Sequence, residues 1–253
     1  MRLVILILLS WTTLVYAQQS DWQPIIDEFV TDERARVVVV GFYDDGETHT
    51  LVAGGPGDAS SILEIGSVTK VFTSLLVEVQ VEAGKLDWDQ SLADSLPDVD
   101  FANDDVAAIT LRELAMHTSG LPRVPSNMLF VDPNDPYAGY DRKLLLDFLE
   151  SFDPDALDKT YEYSNLGAGL LGEIAADASG ARFAKAMQKD VLEPLSLDST
   201  TVGLHDEFDD RLVVGYSDGA DMANWSGFDA LAGAGALTSS TVDMLSFIDS
   251  NLD

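Results

Sequence analysis

Ser67 and Lys70 stand three positions apart in "EIGSVTKVFTSLL", so on a helix both side chains fall on one face, within hydrogen-bonding reach. A serine hydroxyl is a weak nucleophile until a neighbour takes its proton. A lysine partly desolvated at the positive end of a helix has a reason for a lowered pKa and can be that neighbour. The same helix start offers the Ser67 backbone N–H to a developing oxyanion. Alone the pair is a weak signal, because average residue usage gives about one Ser-x-x-Lys by chance in a chain this long.

A second element is "YEYSNLG", with Tyr163 and Asn165 just ahead of a helix. A tyrosine there can relay protons to or from Ser67, and an asparagine amide can orient a substrate carbonyl or hold Lys70. The competing reading makes Tyr163 a packing residue and Asn165 a helix cap. Other candidates are weaker. "GYSDG" around Ser217 matches a Gly-x-Ser-x-Gly nucleophile elbow, but a polar turn follows it and the last histidine, His205, precedes it. His49, His117 and His205 lack metal-ligand spacing, so no metal or other cofactor is expected. His117, in "HTSGLP", is read as bracing the turn after a helix, and Ser119 in the same loop has no base at a usable spacing.

The elements that must position these residues are partly legible. After a short amphipathic stretch, "DWQPIIDEFV", the runs "RVVVVGFYDDG" and "ETHTLVAGG" predict an antiparallel hairpin. Val71, Phe72, Leu75, Leu76 and Val79 recur at helical spacing, which predicts a helix over 67–83, ended by Gly84, with that stripe against the hairpin. From Leu86 to about Ser199 short helical pieces broken by Pro and Gly predict a mainly helical insertion. Its clearest member, "NLGAGLLGEIAADASG", is capped by Gly180. "RLVVGYSDG" reads as a strand and a turn, and "SSTVDMLSFIDSNL" as a final helix with a Ser/Thr cap.

Residues 1–17, "MRLVILILLSWTTLVYA", have one Arg ahead of a short apolar run and end in a small residue. This is a signal-peptide pattern with cleavage after Ala17. Nothing after it is apolar for long enough to cross a bilayer, so a secreted or periplasmic product without stable membrane insertion is expected. With no cysteine, disulfides, thiol nucleophiles and cysteine-held metals are excluded. A formal charge of −30 makes nucleic acid an unsuitable partner. The same charge disfavours anionic substrates unless a local cation compensates. Oligomeric state is not readable.

Five blocks, "EIGSVTKVFTSLL", "GKLDWDQSLADSLP", "ITLRELAMHTSGLP", "YEYSNLGAGLLGEIA" and "LAGAGALTSSTVDMLSFI", occur in an order that resembles the beta-lactamase-related serine hydrolases. That family includes class C beta-lactamases, D-alanyl-D-alanine carboxypeptidases and related esterases. The resemblance spans almost all of residues 18–253. It implies Ser67 as acylated nucleophile, Lys70 as its proton partner, Tyr163 as proton shuttle and Asn165 as a substrate or lysine contact. Either Lys70 or Tyr163 can be the acylation base. It also implies an α+β fold, an antiparallel sheet flanked by helices with a mostly helical inserted domain at about 86–200, and a cleft between them that takes a small-molecule or peptide-like substrate.

The chain departs from the pattern in one respect. Family members continue past the last block into strands with a Lys-Thr-Gly or His-x-Gly motif, which this chain, ending at Asp253, lacks. The expectation is an incomplete sheet and, even with the four residues in place, a truncated and impaired hydrolase; the alternative is a non-catalytic relative with a binding role or no role.

Overall fold

The computed structural model describes residues 22–32, 35–44, 46–130, 132–217, 219–226 and 228–252; the expected leader lies outside them. The chain clusters into two units. One comprises residues up to Leu63, Asp209–Met222 and Ser240–Asp253; the other comprises Glu64–Phe208 and Ala223–Ser239.

In the first unit, residues 22–31 form helix α1, which buries Ile26 and leaves Trp22, Ile25 and Phe29 exposed. Strands β1 (Val37–Asp44) and β2 (Glu47–Gly54) pair antiparallel as expected, with Asp44 opposite Glu47 across the turn. Helix α10 (Thr241–Asp249) packs on β1 and buries Leu245. Its cap is the Ser240 hydroxyl, which accepts the Asp243 N–H and satisfies one of the donors a helix start leaves unpaired. Strands β5 (Gly215–Ser217) and β6 (Ala220–Met222) form a small hairpin. The strand and turn read from "RLVVGYSDG" are therefore present, and the element that comes next after Ser217 is strand β6.

The second unit is mostly helical. Its long members are α2 (Thr69–Glu82), α6 (Arg142–Ser151) and α7 (Asn165–Ser179). The short ones are α3 (Leu92–Ser95), α4 (Asp104–Ala107), α5 (Leu111–Ala115), α8 (Phe183–Met187) and α9 (Ala232–Gly235). Helix α7 is buried on nearly every side from Asn165 to Ala176 and ends at Gly180 in the left-handed conformation, as its small residues and terminal glycine suggested. Strand β7 (Leu237–Ser240), which its short polar sequence did not reveal, has β4 (Thr201–Val202) on one side. On the other, at the end of β3 (Ile62–Glu64), the Ile65 N–H donates to Leu237 O over 3.0 Å.

Two readings of α2 change. It clusters with the helical unit, and its buried face is Thr69, Phe72, Thr73, Leu76, Val77 and Gln80, packed on α7 and α9, whereas Val71 is 53% exposed. The physical reason is hydrogen bonding that hydropathy cannot see. Thr69 Oγ1 accepts the Leu237 N–H at 3.1 Å, and Thr73 Oγ1 donates to Gly233 O at 2.8 Å. With their hydroxyls satisfied, both threonines are buried without the penalty of an unpaired polar group.

Candidate active site

The turn Gly66–Val68 leads directly into α2, with Gly66 at φ +50°, a left-handed backbone that glycine adopts without steric cost. It sets Ser67, which is exposed, at the positive end of α2. Lys70, one turn on, points inward and donates to Ala234 O at 2.6 Å, to Asn165 Oδ1 at 2.9 Å and to Ser67 Oγ at 3.3 Å. These acceptors take all three ammonium protons. Burial depresses the Lys70 pKa below the usual lysine range, and the positive charge of Arg123 adds to this against an opposing contribution from Tyr163.

The Tyr163 hydroxyl donates to Ser67 Oγ over 2.6 Å. Burial by itself raises the Tyr163 pKa, but its interactions with Lys70 and Ser67 and the charges of Lys70 and Arg123 outweigh this and hold the phenol below the ordinary tyrosine range. The Lys70 ammonium lies 4.7 Å from the Tyr163 ring centroid and the Arg123 guanidinium carbon 5.1 Å.

The segment carrying Tyr163 is pinned at several points. Ser164 caps α7 through the Gly167 N–H, donates its hydroxyl to Pro122 O at 2.8 Å, and donates its N–H to His117 Nδ1 at 3.2 Å. The Asn165 N–H donates to Arg123 O at 2.9 Å. Behind Tyr163 the His117 ring lies 4.6 Å away, centroid to centroid, and the His117 carbonyl accepts the Glu162 N–H at 2.8 Å. Burial and the Lys70 charge lower the His117 pKa, which favours the neutral imidazole able to accept at Nδ1. His117 thus braces a turn, as expected, and the Tyr163–Asn165 segment with it.

Asn165 bridges in two directions: its Oδ1 accepts from Lys70 and its Nδ2 donates to the Tyr137 hydroxyl at 2.7 Å. Tyr137 stacks on Phe228 at 4.8 Å, beside Trp225 at 5.6 Å. The four expected residues, Ser67, Lys70, Tyr163 and Asn165, therefore form one hydrogen-bonded cluster within the helical unit. The rejected candidates have other surroundings: Ser119 is buried with its hydroxyl accepting the Leu121 N–H, His205 pairs with Glu207, and His49 sits on β2 opposite Phe42. Sequence reasoning missed Arg123, Tyr137 and the Ala234 carbonyl. A lone arginine in "SGLPRVP", in a chain with 44 acidic and 14 basic residues, was the one usable signal.

Comparison with known proteins gives relatives similar in sequence and solved structures similar in fold. A beta-lactamase of Providencia stuartii is 33% identical over 163 residues, covering 64% of this chain and 39% of the relative. Penicillin-binding protein 4 of Amycolatopsis lactamdurans is 29% identical over 186 residues, covering 70% and 48%. Crystal structures of a beta-lactamase from Sulfitobacter sp. EE-36 and a class C beta lactamase from Rhodobacter sphaeroides superpose with TM-scores of 0.79 and 0.77 at 28% and 27% identity. They cover 93% and 90% of this chain, which spans 64% of each. The beta-lactamase family model matches from residue 22 to residue 253, a stretch that takes in every element described above, and the chain is a member of that family.

Proposed function

We propose that the chain is a secreted or periplasmic serine hydrolase that acts on an amide, β-lactam or ester carbonyl through an acyl-enzyme at Ser67. The observation that carries this reading is the placement of an exposed Ser67 hydroxyl 2.6 Å from the Tyr163 hydroxyl and 3.3 Å from the Lys70 amine, two groups whose pKa values are both depressed. Ser67 Oγ bonds to the carbonyl carbon while its proton passes to Tyr163 Oη or Lys70 Nζ, and the carbonyl electrons move onto oxygen beside the Ser67 N–H. Collapse of this adduct re-forms the carbonyl and expels the leaving group, which takes the proton back from the same pair. Water, deprotonated by that pair, then hydrolyses the Ser67 ester. Asn165 holds the Lys70 amine through its Oδ1, and contact with the substrate is the second part of its proposed role. The apolar leader at residues 1–17 supports export, and among the described residues no helix is long and apolar enough to cross a membrane.

The test is exposure of the protein to a fluorescent penicillin and to a fluorophosphonate. A single adduct on Ser67, absent from Ser67→Ala, is expected. A folded protein that takes neither label favours the impaired relative with a binding role.

A further inference from the structure

Arg123 is a cation beside the Tyr163 ring that the proton-transfer scheme leaves unused. Its backbone is fixed, since its carbonyl accepts the N–H groups of Asn165 at 2.9 Å and Leu166 at 3.2 Å. Its side chain is exposed, with the guanidinium carbon 5.1 Å from the Tyr163 ring centroid. Arg36, Arg112 and Arg142 each hold a carboxylate: Asp221, Asp89, and Glu173 with Asp177. Arg123 forms no ion pair among the described residues, although the chain carries 44 Asp and Glu. An acidic protein repels anionic ligands at long range, and a cation left without an ion pair beside Tyr163 reverses that locally. A guanidinium presents a planar fork that matches a carboxylate in bidentate geometry and is shed of water more easily than an ammonium.

We propose that Arg123 binds a carboxylate of the substrate, so that the centre prefers acyl compounds carrying a negative charge close to the scissile carbonyl. The proposal rests on the hydrolase reading and narrows its substrate class. A role confined to lowering the Lys70 and Tyr163 pKa values makes a different prediction, because it affects charged and neutral substrates alike.

The experiment compares kcat/KM within two ester pairs matched in leaving group or acyl group: 4-nitrophenyl hemiglutarate against 4-nitrophenyl butyrate, and 3-acetoxybenzoate against phenyl acetate. For a charge-assisted contact the anionic-to-neutral ratio of at least one pair falls about ten- to a hundred-fold in Arg123→Gln. It falls further in Arg123→Glu and is only partly kept in Arg123→Lys, which retains the charge but not the fork, and the responding pair shows whether the carboxylate belongs to the acyl or the leaving half. Ratios unchanged in both pairs, or a uniform loss for charged and neutral esters, overturn the proposal. A second readout needs no turnover. In Ser67→Ala protein, the Arg123 Nε–Hε NMR signal, assigned by its loss in Arg123→Lys, shifts on titration with glutarate monoanilide and not with butyranilide. If wild type hydrolyses no ester and takes no label, the hydrolase reading fails, while this titration still decides the role of Arg123: a signal unmoved by the anilide overturns it.

Discussion

The Tyr163 hydroxyl lies 2.6 Å from the Ser67 hydroxyl although 96 positions separate them in the chain. Neither residue reaches the other through its own element. Ser67 is placed by the turn into α2, and Tyr163 by a segment that Ser164, Asn165 and His117 tie to the loop at Pro122 and Arg123. For the proposed proton transfer, a tyrosine held by several anchors meets the geometric requirement better than one free to rotate.

Tyr163→Phe tests the hydroxyl alone. The ring contacts with His117, Lys70 and Arg123 survive, so Tm is expected to move little. The rate of Ser67 acylation by a fluorophosphonate falls by about 10²–10⁴ if the phenol carries the proton. A rate within a factor of two of wild type would assign the proton to Lys70.

The pH dependence has a definite sign. The form of Lys70 or Tyr163 that accepts a proton is the deprotonated one, and both pKa values are depressed. Acylation therefore rises with pH and levels off below the range where a free lysine or tyrosine titrates. Stability follows the same direction. In the window between the folded and unfolded Lys70 pKa the unfolded chain binds more protons, so the burden of burying this amine is greatest at low pH and fades as pH rises. Urea melts of wild type and Lys70→Met across pH check this: the stability of wild type relative to the variant should increase with pH.

His117 has φ of +57°, a region that asparagine tolerates and most side chains do not. His117→Ala removes the ring behind Tyr163 and leaves the buried Ser164 N–H without its acceptor, at a cost of about 1–3 kcal/mol. His117→Asn keeps the backbone and supplies an amide oxygen to the same N–H. The expected order of both Tm and acylation rate is wild type, then Asn, then Ala. Equal values for the two variants would show that only the ring matters.

What was legible in the sequence was local. The β1–β2 hairpin, the Ser240 cap of α10, the Gly180 end of α7 and the pairing of Ser67 with Lys70 each depend on residues within one turn or one loop, where sequence spacing translates directly into geometry. The hidden parts depend on distant backbone. The buried face of α2 includes Thr69 and Thr73 because the amide and carbonyl groups of 233–237 complete them. Strand β7 reads as one leucine followed by three hydroxyl residues, yet all four are buried. Tyr137 enters the site through its hydrogen bond with Asn165 and its stacking on Phe228, and nothing in "DPNDPYAG" signals it.

Gly233 links packing to the chemistry, which makes Gly233→Ala the sharpest test of how the centre is held. A Cβ at this position would stand 2.7 Å from Ala168 O, 3.1 Å from Gly172 Cα and 3.2 Å from Thr73 Cγ2. Two of these atoms are backbone of α7 and the third is a fully buried threonine, so the methyl cannot be absorbed by a flexible side chain. The segment carrying α9 must move away from α2 and α7. Overpacking of this kind costs about 1–3 kcal/mol, a Tm loss of about 2–4 °C per kcal/mol in a chain this size. The next residue supplies Ala234 O, the shortest of the Lys70 hydrogen bonds at 2.6 Å, and Gly233 O itself accepts from Thr73. Displacement lengthens both. The acylation rate per folded molecule should therefore fall along with Tm, and the pH limb of the Lys70–Tyr163 pair should shift as the surroundings of Lys70 loosen. A Gly233→Ala protein that is less stable but acylates at the wild-type rate with an unchanged pH profile would show that the Ala234 carbonyl does not tune Lys70.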